Sequence, residues 1–130
     1  AQYDRRFGSH RLNIHTTYGY TDSRNRTTNK QLIYVPFHKA TASLGYAYAK
    51  FSFAYQHAYN GFVFTQSDNN PLRKVAMYPI SNVMADYDFG RKNTYRIGIK
   101  ALNLWNEKYE SVSDRPMPGR HFNVYLILKL

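Results

Sequence analysis

The chain has 130 residues, no cysteine and a formal net charge of +10, and 17% of its residues are aromatic. Its length fits one domain or a part of a larger one, and the lack of cysteine excludes a disulfide framework and a thiolate metal site. No run of about 18 apolar residues occurs, which excludes a transmembrane helix but not a transmembrane strand.

Alternation of large with small or polar side chains predicts six strands along the chain. Residues 1–7 are expected to end an extended segment, without the apolar h-region of a signal peptide, and Gly8-Ser9 to form a tight turn. The predicted strands cover residues 10–20, about 33–48, 51–59, about 80–89, 95–101 and 120–130. No stretch keeps a 3.6-residue apolar period, so we expect an all-β chain.

The last predicted strand shows the alternation most clearly. Its odd positions mix apolar, polar and charged side chains, whereas its even positions are wholly apolar. The apolar set is Phe122, Val124, Leu126, Leu128 and Leu130. A strand with one lipid face and one lumen face has this pattern, so these residues are predicted to face lipid. The terminal strand of a soluble sandwich is the alternative reading.

The connections between the predicted strands alternate between long and short. The long ones lie at 21–32, 65–78 and 105–119, and the short ones at 49–50 and 90–93. Outer-membrane barrels have short periplasmic turns and long extracellular loops, whereas a soluble sandwich has no reason to sort its loops. We therefore predict part of an antiparallel up-and-down transmembrane β-barrel, about six strands, in the outer membrane of a Gram-negative bacterium.

Aromatic side chains cluster near the ends of these strands. Those beside the short turns are Tyr48, Phe51, Tyr87, Phe89 and Tyr95. Those beside the long loops are Tyr18, Tyr20, Tyr59 and Phe122. Aliphatic or smaller residues lie between the two sets, which is typical of two aromatic girdles that bound an apolar band.

Five histidines and two aspartates are the candidates for metal or catalytic chemistry. The histidines (His10, His15, His38, His57 and His121) have no ligand spacing, so we predict no metal and no other cofactor. His121, on the lumen side, is the best placed of them for a ligand contact. Asp86 and Asp88 share a strand face with Arg96 or Lys100 on the next strand to neutralise them, so we expect a lumen-wall ion pair and no enzyme activity.

The basic residues are expected largely in the long loops, as Arg24, Arg26, Lys30, Arg73, Lys74, Arg115 and Arg120. Solvated loops near anionic lipopolysaccharide are favoured over an anionic substrate. Nucleic-acid binding requires aromatic and basic residues on one exposed face, whereas here they lie on opposite faces. We predict no nucleic-acid partner, although a soluble basic β-domain that binds nucleic acid stays an alternative.

Two C-terminal motifs resemble those of TonB-dependent outer-membrane transporters. One runs from Asn103-Leu104-Trp105 to Tyr109, and the other is Pro118-Gly119-Arg120 before the last alternating strand. The segment 35–39, with Pro36 and His38, is also similar to the family's Pro-x-His segment before a strand. The resemblance makes Asn103, Leu104, Tyr109, Pro118, Gly119 and Arg120 the motif residues. The family usually ends in Phe or Trp, whereas this chain ends in Leu130.

The resemblance implies a barrel of about 22 strands around an N-terminal plug, importing a scarce nutrient of the siderophore, haem, cobalamin or glycan class. Residues 1–130 would be the C-terminal segment of that barrel, without the plug and the earlier strands. Six strands leave two open edges. The implied partners are outer-membrane lipid and lipopolysaccharide, the rest of the barrel and plug in the same or another chain, and an inner-membrane energising complex that acts through the N-terminal part. An independent small outer-membrane barrel, an adhesin or a pore, is the alternative.

Overall fold

The computed structural model of the chain describes residues 1–128, and they form β-strands joined by turns and loops. The strands are β1 (Gln2–Phe7), β2 (His10–Tyr20), β3 (His38–Tyr48), β4 (Phe51–Asn60), β5 (Val63–Phe64), β6 (Lys74–Val75), β7 (Tyr78–Phe89), β8 (Tyr95–Leu102), β9 (Glu110–Val112), β10 (Arg115–Pro116) and β11 (His121–Leu128). Seven of them form one antiparallel sheet in the order β1-β2-β3-β4-β7-β8-β11. The prediction of an all-β, antiparallel chain is confirmed.

The main sheet has one strand more than the sequence predicted. Residues that were expected only to end an extended segment form β1, which pairs with β2 along its whole length around Gly8-Ser9. The main sheet therefore has seven strands where about six were predicted. Arg5 interrupts the apolar alternation of Tyr3 and Phe7, so the ladder of β1 depends on the neighbouring strand more than on a pattern of its own. In the described part of the chain, β1 and β11 are the two edges of an open sheet.

Two strand starts also differ from the prediction. β3 begins at His38 rather than near residue 33. Tyr34 belongs to the preceding loop, where its φ is 57° and its N–H donates to the carbonyl oxygen of Phe64 at 3.0 Å. β7 begins two residues before the predicted position, at Tyr78, because Tyr78 and Pro79 pair with the end of β4.

The long loops are less irregular than predicted. The connection between β4 and β7 contains the hairpin of β5 and β6, and the connection between β8 and β11 contains the hairpin of β9 and β10. The first is closed by an isolated bridge between Arg24 and Gln31. A 3-10 turn at Arg91–Asn93 forms part of the last short connection. No helix in residues 1–128 is long and apolar enough to cross a membrane.

The register brings the large side chains of all seven strands onto one surface, which we call the apolar face. One row across it consists of Phe7, His10, Tyr48, Phe51, Tyr87, Ile97 and Leu126. The next row consists of Arg5, Leu12, Tyr46, Phe53, Ala85, Ile99 and Val124. The opposite surface, the polar face, carries the small, polar and charged residues that alternate with them.

The apolar face is not covered by a second layer of the described structure. Among residues 1–128, Val75 is the one apolar side chain that is buried, with 5% of its surface exposed. On β11, Phe122, Val124 and Leu126 are 61%, 71% and 66% exposed. A water-soluble domain stabilises such a face by packing another layer against it. This sheet presents its largest side chains outward instead.

Candidate membrane-facing surface and C-terminal loop

The aromatic residues beside the short turns come together on the apolar face. Tyr48, Phe51 and Tyr87 lie in one row, which Phe7 and His10 extend onto β1 and β2. The His10 ring stacks on Phe7 and Tyr48, with centroids 5.1 and 4.3 Å apart. Sequence reasoning missed Phe7 because β1 was not recognised as a strand, and it considered His10 only as a possible metal ligand.

The aromatic residues near the long loops form a less regular set. Tyr18 and Tyr59 lie in one row through Ala40, whereas Phe122 lies four residues nearer the short turns, in the row of Tyr55. The hydroxyl of Tyr18 is hydrogen-bonded to Nδ1 of His38 at 2.8 Å. The boundary of the apolar face on the long-loop side therefore runs obliquely across the strands.

The terminal strand occupies the surface that its alternation predicted. Phe122, Val124, Leu126 and Leu128 all lie on the apolar face of β11 and are exposed. Leu130, the fifth residue of the predicted set, lies outside the described residues. That these side chains contact lipid remains a prediction.

The polar face carries a network of specific contacts on three neighbouring strands. Arg96 donates from two nitrogens to the two carboxylate oxygens of Asp88, at 2.6 and 3.0 Å, which confirms the expected ion pair. Asp86 accepts a hydrogen bond from the Tyr125 hydroxyl, not from a cation. Lys100 lies 5.0 Å above the Tyr125 ring. Arg96 interacts electrostatically with Asp86 as expected, while the hydrogen bond to Asp86 comes from Tyr125.

Gly98 explains how Tyr125 reaches Asp86 across the intervening strand. A Cβ atom at Gly98 would collide with the Asp86 carboxylate and the Tyr125 phenol, both of which occupy the space above its backbone. A glycine within a strand marks such a close approach. Gly98 between Arg96 and Lys100 was the available sequence signal for this contact.

Asn103 organises the last long loop. Its side chain is 4% exposed, accepts a hydrogen bond from the Glu107 N–H at 2.8 Å and donates to the carbonyl oxygens of Glu107 and Pro118 at 2.8 and 3.3 Å. Its own N–H donates to Oδ1 of Asn82 at 3.0 Å. Its φ of 51° lies in the left-handed region, which asparagine tolerates better than most residues. One buried amide thus ties both ends of the loop to the sheet.

The other motif residues lie around the same loop. Leu104 donates its N–H to the Ser81 carbonyl oxygen at 2.8 Å, and Arg120 donates its N–H to Oδ1 of Asn106 at 2.9 Å. Gly119 leaves room for that amide, because a Cβ there would lie 2.7 Å from the same oxygen. Tyr109 packs on Tyr78 with ring centroids 4.5 Å apart. The role of Asn106 was not found from the sequence.

Ser81 forms a polar cluster on the apolar face at the base of this loop. Its hydroxyl lies 2.8 Å from Nδ1 of His57, 3.1 Å from the Tyr55 hydroxyl and 3.1 Å from Nε1 of Trp105. These contacts use the one donor and two acceptor sites of a serine hydroxyl. Ser81 is also only 1% exposed, so these contacts bury its hydroxyl and anchor Trp105 at the base of the loop.

The first two long loops are joined by a reciprocal amide pair. Gln31 donates its N–H to Oδ1 of Asn69 at 2.7 Å, and Nδ2 of Asn69 donates to the Gln31 carbonyl oxygen at 2.9 Å. Lys30 adds a bond from Nζ to the carbonyl oxygen of Asp68 at 2.8 Å. The loops therefore form a connected cap rather than separate coils. At its surface, the hydrogen bond to Asp22 raises the pKa of Arg24.

The histidines are distributed over separate strands and contacts. His121, on the polar face, is hydrogen-bonded through Nδ1 to the Gly119 carbonyl oxygen at 2.9 Å. In residues 1–128, no three histidine, aspartate or glutamate side chains converge on a possible metal site.

Neither a protein-family model nor a curated protein matches the sequence. The function is therefore inferred from the chain's own geometry and motifs.

Proposed function

We propose that this chain is part of an outer-membrane β-barrel of the TonB-dependent transporter type, which imports a scarce nutrient. The observation that carries the proposal is the uncovered apolar face of a seven-stranded sheet. Monomeric soluble proteins rarely leave a contiguous apolar surface of this kind in water, whereas strands that face lipid require one.

The distribution of charge supports the same orientation. Asp86, Asp88, Arg96 and Lys100 all lie on the polar face, where they have partners or reach an aqueous interior. A charge in the hydrocarbon region is costly, so lipid-facing positions exclude it. Among the described strands of the main sheet, the apolar face carries one cationic side chain, Arg5. It lies two residues from the end of β1, so its long side chain can reach the membrane surface.

The positions at which neighbouring strands end support a tilt of the strands like that in a barrel. His10 of β2 and Ile97 of β8 lie in the same row. From that row toward the long loops, β2 continues for ten residues to Tyr20, whereas β8 continues for five residues to Leu102. Toward the short turns, β2 ends at the row itself, whereas β8 extends two residues farther, to Tyr95. With about 3.3 Å per residue and 4.8 Å per strand step, these shifts correspond to tilts of about 20–40°. Membrane barrels have tilts near the upper end of this range.

The open edges indicate that other strands complete the barrel. Edge strands β1 and β11 have unpaired backbone groups on one side, and a bilayer provides no water to satisfy them. We expect further strands, in the same or another chain, to pair with both edges. The contacts that Asn103, Pro118, Gly119 and Arg120 make within one loop support the family resemblance, because they give its motif residues a shared structural role.

Single-cysteine labelling on intact cells tests the proposal. The chain has no cysteine, so Ser67→Cys in the second long loop and Lys92→Cys in the last short turn each introduce one exposed thiol. In the proposed orientation the long loops lie outside the cell and the short turns in the periplasm. An impermeant maleimide should therefore label the first variant and not the second. Both should react after the cells are broken, which controls for exposure of Lys92→Cys.

The alternatives predict different outcomes. Labelling of the short turn alone would reverse the direction of the chain, and labelling of both thiols on intact cells would indicate a surface-attached domain. A chain that is β-folded and monodisperse in buffer without detergent would contradict lipid exposure of the apolar face. A small adhesin or pore would give the predicted labelling but fold in lipid without additional strands.

A further inference from the structure

The short-turn end of the sheet carries a group of unpaired cations at the margin of the apolar face. Lys50 lies in the turn between β3 and β4, and Arg91 and Lys92 lie in the turn between β7 and β8. Arg5 lies on the apolar face itself, beside the turn between β1 and β2. We call Arg5, Lys50, Arg91 and Lys92 the basic rim. All four are exposed, and in the described structure none lies within ion-pair distance of a carboxylate.

Among residues 1–128, the carboxylate side chains at this end of the sheet lie on the polar face. Asp4, Asp86 and Asp88 alternate with the apolar-face residues of their strands and so point the other way. None of the short turns contains an acidic residue. The positive charge of the basic rim is therefore not balanced on the side of the sheet where its neighbours are apolar.

The long-loop end is arranged differently. Its cations are interleaved along the loops with acidic residues, namely Asp22, Asp68, Glu107, Glu110 and Asp114. Arg24 and Asp22 form an ion pair there at 2.7 Å. The positive charge of the chain is thus partly neutralised in the long loops, whereas at the short-turn end Arg96 has a carboxylate partner on the polar face and the cations at the margin of the apolar face have none in the described structure.

Three cations of the basic rim lie directly beyond a row of aromatic side chains, whereas Arg5 lies one row inside it, level with Leu12. Tyr48 and Phe51 flank Lys50, and Phe89 and Tyr95 flank the turn with Arg91 and Lys92. Aromatic side chains of membrane barrels lie at the level of the lipid headgroups. Lys50, Arg91 and Lys92 then lie at the level of the phosphates, where a negative surface potential attracts them. Arg5 reaches that level by extending its long side chain toward the membrane surface.

We propose that the basic rim binds the headgroups of anionic phospholipids in the leaflet at the short-turn end. The inference rests on the proposed insertion of the apolar face into a bilayer. Each cation contacts a lipid phosphate at the membrane surface. The neighbouring aromatic row lies at the boundary between the headgroups and the acyl chains. The rim thereby fixes the depth of the sheet and gives this part of the barrel a preference for acidic lipid.

Lipid selectivity in vesicles tests the basic rim. The chain is reconstituted in phosphatidylcholine vesicles together with the strands that complete its barrel, and spin-labelled phosphatidylglycerol and phosphatidylcholine report the association of each lipid with the protein. We expect the anionic probe to associate about threefold more strongly than the neutral one, and less so at high salt. The variant Arg5→Gln, Lys50→Gln, Arg91→Gln, Lys92→Gln should bring this ratio close to one.

A matched variant separates the rim from the total charge. Arg26→Gln, Arg73→Gln, Lys108→Gln and Arg115→Gln remove four exposed cations from the long loops and should leave the ratio unchanged. A ratio near one in the parent chain, or equal losses in both variants, would overturn the basic rim while leaving membrane insertion intact. If the parent protein, assembled with the strands that complete its barrel, does not float with the vesicles, the proposed function itself fails, and the rim with it.

Discussion

The two faces of the main sheet differ in what satisfies their side chains. On the polar face, Asp88 with Arg96 and Asp86 with Tyr125 form particular pairs, and Gly98 makes room for one of them. On the apolar face, Val124 and Leu126 are exposed and have no covering layer in the described structure. The polar face therefore depends on individual partners, whereas the apolar face depends on the solvent around it. Substitutions matched across the two faces can test this difference.

The largest difference is expected for arginine on the terminal strand. Leu126→Arg places a charge on the apolar face and should lower the free energy of unfolding in lipid by about 2–4 kcal/mol. Ile127→Arg is on the polar face beside Arg96 and should lower it by less than about 1 kcal/mol. Denaturant titration in lipid measures both values. Equal losses would show that the two faces are not distinguished by lipid.

A smaller effect should separate crowded from open positions within the polar face. Gly98→Ala forces a methyl group against Asp86 and Tyr125 and should cost about 1–3 kcal/mol. Gly19→Ala is its control, because a Cβ at Gly19 meets no atom within 4 Å and alanine suits a strand better than glycine. The same titration should show no loss for Gly19→Ala, and a loss there would mean that the polar face is crowded throughout.

The smallest effect concerns one hydroxyl on each face. Tyr125→Phe removes the donor to Asp86 and should cost about 0.5–1.5 kcal/mol. Tyr87→Phe removes a hydroxyl from the exposed aromatic row on the apolar face and should change stability by less than about 0.5 kcal/mol. If the two variants lose the same stability, the Asp86–Tyr125 bond contributes no more than an interfacial tyrosine does.

Period-two alternation was sufficient to assign residues to a face within each strand. It placed Phe122, Val124, Leu126 and Leu128 together, and the structure confirms that arrangement. Turn residues such as Gly90 gave the short connections correctly, since a φ of 85° there suits glycine. These features are local, because side-chain direction along a strand and the conformation of a tight turn depend on neighbouring residues alone.

Contacts between distant segments were decided only by the tertiary structure. The turn at Gly8-Ser9 and the glycine at position 98 were local signs, but they did not show that residues 2–7 pair with β2 or that Tyr125 crosses β8 to reach Asp86. The bond between Gln31 and Asn69 had no local sign. Asn103 was singled out by resemblance, but its bonds to Asn82 and Pro118 require the sheet and the loop to be assembled. Alternation determines which way a side chain points. The register between strands determines what it meets there, because register depends on the energies of all rows together rather than on any one segment.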